Sequence, residues 1–293
     1  MRHALCALRL APITAMRVNI NSKSLMKIVI IVVLMAILYA SVLRKLVSDW
    51  IYLADFSHGF LIPLVSLYFV YGKRKELSIL SPSGRWIGLG PIIIGILLLF
   101  LGNLATEFFT MRFSMLVVIA GIILFLLGKE YYKTLLFPIV FLIFMIPIPS
   151  ILMDRITFPM QLFASKMAAN SLHFIGIPVL REGNIMQLAN TSLEVAEACS
   201  GIRSLISLLA LSVVFACLTQ KTTLKRILLI LSTFPIAILA NAARVSGTGI
   251  LAYHYGNAVA QGFFHGFSGW ILFVVAFICL FGVGSLLSRI KTY

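Results

Sequence analysis

Residues 193–218, LEVAEACSGIRSLISLLALSVVFACL, set two carboxylates, a cysteine, a Ser-Gly step and an arginine directly ahead of a long apolar run. A hydrocarbon core of about 30 Å takes roughly 20 apolar residues of helix. The run at 204–219 comes close to that length, and similar runs recur at 28–47, 58–72, 86–102, 113–128, 134–149, 227–243 and 268–288, with 58–72 the shortest. The chain of 293 residues is 61% hydrophobic and only 11% charged, with a mean hydropathy of +1.06. Soluble domains carry about a quarter charged residues. The expected fold is therefore an all-α integral membrane protein of about eight transmembrane helices, with one membrane domain over residues 28–288.

The net charge of +15 would suit a nucleic-acid binder, so its distribution matters. Residues 1–27 hold five basic residues and no acid. The apolar run that follows is too long for a signal-peptide core and lacks a small-residue cleavage site, which favours an uncleaved basic cytoplasmic tail. Met16 and Met26 are alternative starts that would remove Cys6. With the tail inside, sixteen of the 24 basic residues and two of the nine acids fall on the cytoplasmic side. This is the lysine and arginine bias of the positive-inside rule. The basicity thus orients the protein, and no nucleic-acid partner is expected. An even number of spans returns residues 289–293 to the cytoplasm.

The one long interruption, residues 147–200, then lies outside, between the fifth and sixth spans. Its first half has apolar residues at helical spacing with Asp154, Arg155, Gln161, Lys166 and Asn170 interleaved, the pattern of an amphipathic helix at the interface. Its second half, GIPVLREGNIMQLANTSLEVAEA, carries a hairpin signal around EGN. Residues 150–200 are read as a small extracytoplasmic cap. No internal repeat or low-complexity tract is present.

Cys199 falls at the outer mouth of the sixth span, where Ser200 and Gly201 open a helix. Unpaired N–H groups at such a site favour an anion, and a thiol there can be shifted toward a reactive thiolate. Arg203 adds positive charge one turn in. The plainer alternative, a small buried hydrophobe, also stands for an isolated cysteine. A redox pair with Cys217 is disfavoured, since 18 residues of helix at about 1.5 Å each separate the two by roughly 27 Å, whereas a disulfide needs Cα atoms within about 7 Å. Cys217 and Cys279 have no polar company in the sequence and read as packing residues. A thiolate enzyme also needs a proton carrier and a charge stabiliser. Arg244, in ILANAARVSGTG, and His265, in AQGFFHGFSGW, fall at the same outer level, where a charge is costly unless it is used or paired. Alternatives remain: Arg244 as a structural partner of Glu197, and His265 as an interfacial histidine beside aromatic residues. His254 and His173 also lie on the outer side.

Three stretches, EACSGIRSL with Cys199, NAARVSG with Arg244 and FFHGFSGW with His265, closely resemble the motifs of the exosortase/archaeosortase family of membrane-embedded cysteine transpeptidases. The likeness extends to DFSHGFLIPLVSLY at 55–68, MIPIPS at 145–150 and GIPVLREGN at 176–184, so it covers most of residues 50–270. The family's third position is histidine in bacterial members and often arginine in archaeal ones, and His265 favours the bacterial exosortase branch. The resemblance implies a protein of the bacterial inner membrane, active at its periplasmic or exterior face. The implied substrates are exported proteins ending in a Pro-Glu-Pro-like motif, a transmembrane helix and a basic tail. It casts Cys199 as the nucleophile that forms a thioester, His265 as the proton carrier, and Arg244 as the group holding the oxyanion or the thiolate. Such families often act beside exopolysaccharide genes. His58, in FSHGF, would line substrate entry or bond across helices. Glu194 and Glu197 would tune the cysteine or touch substrate.

A transporter is the reading from another class, and eight spans would permit it. Transporters place polar residues and broken helices near mid-membrane, whereas these spans are apolar at their centres. A scaffold for polysaccharide assembly would leave the convergence of cysteine, arginine and histidine unused. No metal-ligand cluster, phosphate-cradling glycine loop or nucleotide motif appears, so no metal and no cofactor is expected. The partners expected are sorting-signal proteins and membrane lipids.

Overall fold

The first apolar run does not form one rod. In the computed structural model, which describes residues 22–189, 191–195, 202–256 and 263–290, helices α1 (Ser22–Leu38) and α2 (Ala40–Tyr52) meet at Tyr39 with a bend of 73°. Residues 22–25, 27–28, 54, 202–203 and 263–268 are described by their main chain alone. Tyr39 is fully buried, and its hydroxyl lies 3.1 Å from Ser114 Oγ. A phenol inside an apolar bundle needs such a partner. The bend therefore sits where the helix meets a polar contact.

The described chain divides into two units, meeting in sequence between Ile148 and Pro149. In the first, α2 is followed by a 3₁₀ segment (Ala54–Phe60), α3 (Leu61–Gly72), α4 (Arg74–Ile79), α5 (Leu89–Leu104), α6 (Phe108–Leu126) and α7 (Lys129–Phe141), with a 3₁₀ turn over Leu142–Met145. Helices α5 and α6 form a close hairpin. A Cβ on Gly95 would strike Val118, and one on Gly121 would come within 2.8 Å of Ile92. Small residues at such crossings let apolar helices gain dispersion contact where no hydrophobic effect drives them together.

Glu107 caps α6, its carboxylate accepting from the backbone N–H of Phe109 at 3.0 Å and of Thr110 at 2.6 Å. One turn on, the buried Arg112 pairs with Asp49 of α2, which also holds Lys45 at 3.0 Å. An isolated charge here would cost several kcal/mol, so the pair ties α2 to α6.

The FSHGF and MIPIPS stretches meet in this unit. The Trp50 indole N–H donates to the Met145 carbonyl at 2.9 Å, and any side chain at Gly59 would overlap the Trp50 ring. Gly59 is there because the indole occupies the space a Cβ would need.

The second unit opens with α8 (Ser150–Phe174), which buries a stripe including Gln161, Ala164, Ser165, Ala168 and Leu172 and exposes Phe158, Phe163 and Phe174. Strands β1 (Val179–Glu182), β2 (Ile185–Leu188) and β3 (Ser192–Glu194) follow as an antiparallel meander in the order β1-β2-β3. The first turn is Gly183–Asn184, and Gly183 has a φ of +65°, a region open to glycine. Both Ser165 Oγ, at 2.9 Å, and Arg181, at 2.8 Å, donate to the Gly183 carbonyl, which pins the turn to α8. Three long helices complete the unit: α9 (Ile202–Thr219), α10 (Thr223–Tyr255) and α11 (Phe263–Arg289).

Among the described residues, four helices are long and apolar enough to cross a membrane: Trp86–Leu104, Phe108–Leu126, Thr223–Tyr255 and Gly269–Arg289. Two broken pairs, within residues 29–52 and 129–174, raise the number to six if each is one span. The eight apolar runs of the sequence thus become four to six candidate spans by length and composition. The difference arises because 58–72 yields only the 12-residue α3, the 28–47 run breaks at Tyr39, and 204–219 forms a shorter apolar helix. Helix fills the apolar runs, as the all-α expectation has it, and the sheet is confined to residues 179–194, around the EGN hairpin signal.

The Glu107 cap generates a pH test. Burial pushes its carboxyl up, but hydrogen bonds from the Thr110 hydroxyl and the Thr110 and Phe109 N–H groups, with Arg112 nearby, outweigh this and hold it below its ordinary value of 4.5. A depressed carboxyl contributes stability above its unfolded pKa and loses it as pH falls through the folded one. Glu107→Ala is expected to cost about 1 kcal/mol near neutral pH, the usual worth of a helix cap. The gap from wild type should shrink below about pH 4.5. Thermal melts in detergent across pH 3.5–7 check this; a gap independent of pH would contradict it.

Candidate functional site

Within the second unit, α9, α10 and α11 enclose an apolar cluster that includes Leu205, Leu208, Leu229, Ala237, Ala276 and Leu280. A second cluster joins α8 and the sheet to the C-terminal part of α10 through Val245 and Ala252. Arg244 lies on α10 between the two. At about 1.5 Å per residue it stands roughly 32 Å along the helix from Thr223, close to one hydrocarbon thickness. The helix continues beyond it to Tyr255 and carries the sheet.

Arg244 is half-buried and lines a recess with Ser204 and Leu208 of α9, Ala237, Ala240 and Asn241 of α10, and Gly269, Leu272, Phe273 and Ala276 of α11. The recess is small, about 20 Å³, room for one water-sized group. Each helix lines it with residues spaced three or four apart, so one stripe of each faces inward. Gly269 makes the room: a Cβ there would sit 3.5–3.6 Å from the Arg244 guanidinium. That distance is ordinary contact for a methyl, and a longer side chain would have to share the recess with the guanidinium. Arg244 cannot lose its proton near neutral pH, so the recess holds a permanent positive charge with apolar walls below it.

His265 is on the main chain of α11, four residues, one turn, before Gly269. Arg203 is in the first turn of α9, next to Ser204. Cys199 and Glu197 lie outside the described residues; in sequence Cys199 is five residues before Ser204. Glu194 ends β3, is exposed, and pairs in register with Ile185. The chain entering the cysteine segment is held at Val195, which is buried and whose N–H donates to the Asn184 carbonyl at 2.9 Å.

His58 belongs to the first unit, where it is half-buried, hydrogen-bonds to the backbone at Phe144 and Asp55, and lies 6.3 Å from the Phe56 ring. His173 and His254 are both exposed. Cys279 is a free, exposed thiol on α11. Cys217, read from the sequence as a packing residue, is buried on α9. Among the described residues no group of His, Cys, Asp and Glu could hold a metal. Sequence reasoning passed over Asn241 and Ser204, both of which line the Arg244 recess; NAARVSG contains the first, one turn before the arginine.

The fit at Gly269 is testable without any substrate. Gly269→Ala should leave thermal stability in detergent nearly unchanged. Gly269→Leu should lower it by about 1–3 kcal/mol, the usual cost of overpacking. Equal stability of the two variants would mean that the guanidinium is not packed against α11.

No curated protein and no solved structure matches the chain. A family model described as transmembrane exosortase matches residues 50–282, which takes in both units and every residue of the Arg244 recess. A match over most of the chain shows that this protein belongs to the transmembrane exosortase family.

Proposed function

We propose that the protein is a cysteine transpeptidase of the bacterial inner membrane that cleaves C-terminal sorting signals of exported proteins. Its substrates end in a Pro-Glu-Pro-like motif, an apolar helix and a basic tail. The reading rests on family membership, and on one observation above the rest: a permanently charged arginine in a recess where the N-terminal parts of α9 and α11 flank the far end of α10. The sequence puts Cys199 just ahead of the first of these helices and His265 in the first turn of the other. With the C-terminus cytoplasmic, α11 starts at the outer side, so that end faces the periplasm.

The Cys199 thiolate attacks the scissile carbonyl carbon, and the carbonyl electrons move onto oxygen. Arg244 donates to that oxyanion, replacing water with a fixed charge. The tetrahedral species collapses with cleavage of the C–N bond, and the departing amine takes the proton that His265 received from the thiol. The helix and basic tail leave, and a thioester remains on Cys199. An amine acceptor or water then attacks the thioester and returns the thiol. Arg203 adds charge near the thiolate, Glu194 and Glu197 border the substrate path, and His58 supports the FSHGF segment.

A co-expressed exported reporter ending in a native sorting signal tests the proposal by immunoblot. Cys199→Ala should abolish release of the C-terminal helix while the protein still accumulates. His265→Ala should slow release by about 10²–10⁴, and Arg244→Lys by about 10²–10³. Cys217→Ala and Cys279→Ala should retain processing. Release by Cys199→Ala at the wild-type rate would overturn the mechanism.

A further inference from the structure

Asn241 is the one residue shared by two recesses. On one side it lines the Arg244 recess. On the other it closes a recess between α8 and α10, about 160 Å³, whose remaining walls are Pro159, Met160, Phe163, Ala164 and Ile238, all apolar. Its side chain is only 6% exposed, and its carbonyl oxygen, wholly buried, has no hydrogen-bond partner among the described residues. A buried amide oxygen left unsatisfied is destabilising. Leucine, of nearly the same size, would fill the position without that cost. Its place on α10, one turn before Arg244 and on the same stripe, brings the amide beside the group assigned to the developing oxyanion.

A carboxamide presents one acceptor and two donors. Peptide backbone offers the complementary pair, an N–H and a C=O on neighbouring units. The two recesses offer the matching surroundings, a cationic one for the reacting carbonyl and an apolar one for a side chain next to it. Resting on the proposed transpeptidase reading, we infer that Asn241 holds the substrate backbone beside Arg244 and that the α8–α10 recess takes an apolar side chain of the sorting signal, at the start of its helix. Asn241 is then a substrate-contacting residue, and Met160 and Phe163 are walls of a specificity subsite.

Two measurements on the full-length protein in nanodiscs test this, with a purified reporter carrying a sorting signal from the same genome. In the first, Asn241→Leu and Asn241→Ala are compared with wild type for melting temperature, KM and kcat. Asn241→Leu should melt at or above the wild-type temperature, yet raise KM about tenfold. Asn241→Ala should raise KM similarly. A purely structural amide gives the opposite result, an unchanged KM in any variant that folds. In the second, a photo-crosslinking residue is placed at the first position of the reporter's apolar helix and the complex is trapped with Cys199→Ala. Adducts should map to Met160 or Phe163 and fall at least fivefold when Asn241→Leu is added. Adducts confined to other helices, or insensitive to residue 241, would overturn the inference. The failures are separable: if Cys199→Ala still turns the reporter over, the transpeptidase reading itself is wrong, whereas a dead Cys199→Ala with a normal Asn241→Leu removes only the subsite.

Discussion

A guanidinium that cannot be neutralised sits at the end of an apolar three-helix junction, and the second unit is built around that fact. Below Arg244 the contacts are Leu, Ala and Phe; above it, α10 runs on into the cluster that holds the sheet. Neither cluster could take the charge. Gly269 on α11, Ser204 on α9 and Asn241 on α10 make a recess at the level between them. The length of α10 follows from the same constraint, since one helix both crosses the apolar layer and projects far enough to anchor the sheet. That anchorage reaches the chain entering the cysteine segment through β3 and Val195.

The first unit also sets polar groups inside apolar packing. Its buried arginine, Arg112, is matched by Asp49, and its indole by a main-chain carbonyl at Met145. Two polar contacts thus hold α2 against α6 and against the 3₁₀ turn before residue 148. The FSHGF and MIPIPS stretches, which look like separate signatures in the sequence, are two sides of one contact around Trp50. Gly59 is the residue that permits it.

Much of this was legible in the sequence, for specific reasons. Long uninterrupted apolar runs such as 86–102 and 227–243 do become helices, because in hydrocarbon no other local structure satisfies the backbone. The EGN turn was readable because glycine marks the positive φ that the turn needs. The bend at Tyr39 was not readable: a tyrosine in an apolar run looks like any other span residue until Ser114, 75 positions away, receives its hydroxyl. Asn241 was hidden for a related reason, since one polar residue before an arginine reads as part of the motif, and only the packing reveals that it separates two recesses. Cys199 and Glu197, central to the chemistry read from the sequence, lie outside the described residues, and their part in the account rests on sequence and family.

The central claim is that Cys199 carries the substrate as a thioester at the recess holding Arg244. Acid-quenched mass spectrometry of protein co-expressed with its sorting-signal substrate tests it directly. The account predicts a peptide containing Cys199 that bears the new C-terminus of the substrate, is lost on treatment with hydroxylamine, and becomes scarce in Arg244→Ala. A substrate adduct on another residue, or active wild-type enzyme that yields no hydroxylamine-sensitive adduct under conditions where turnover is slowed, would contradict it.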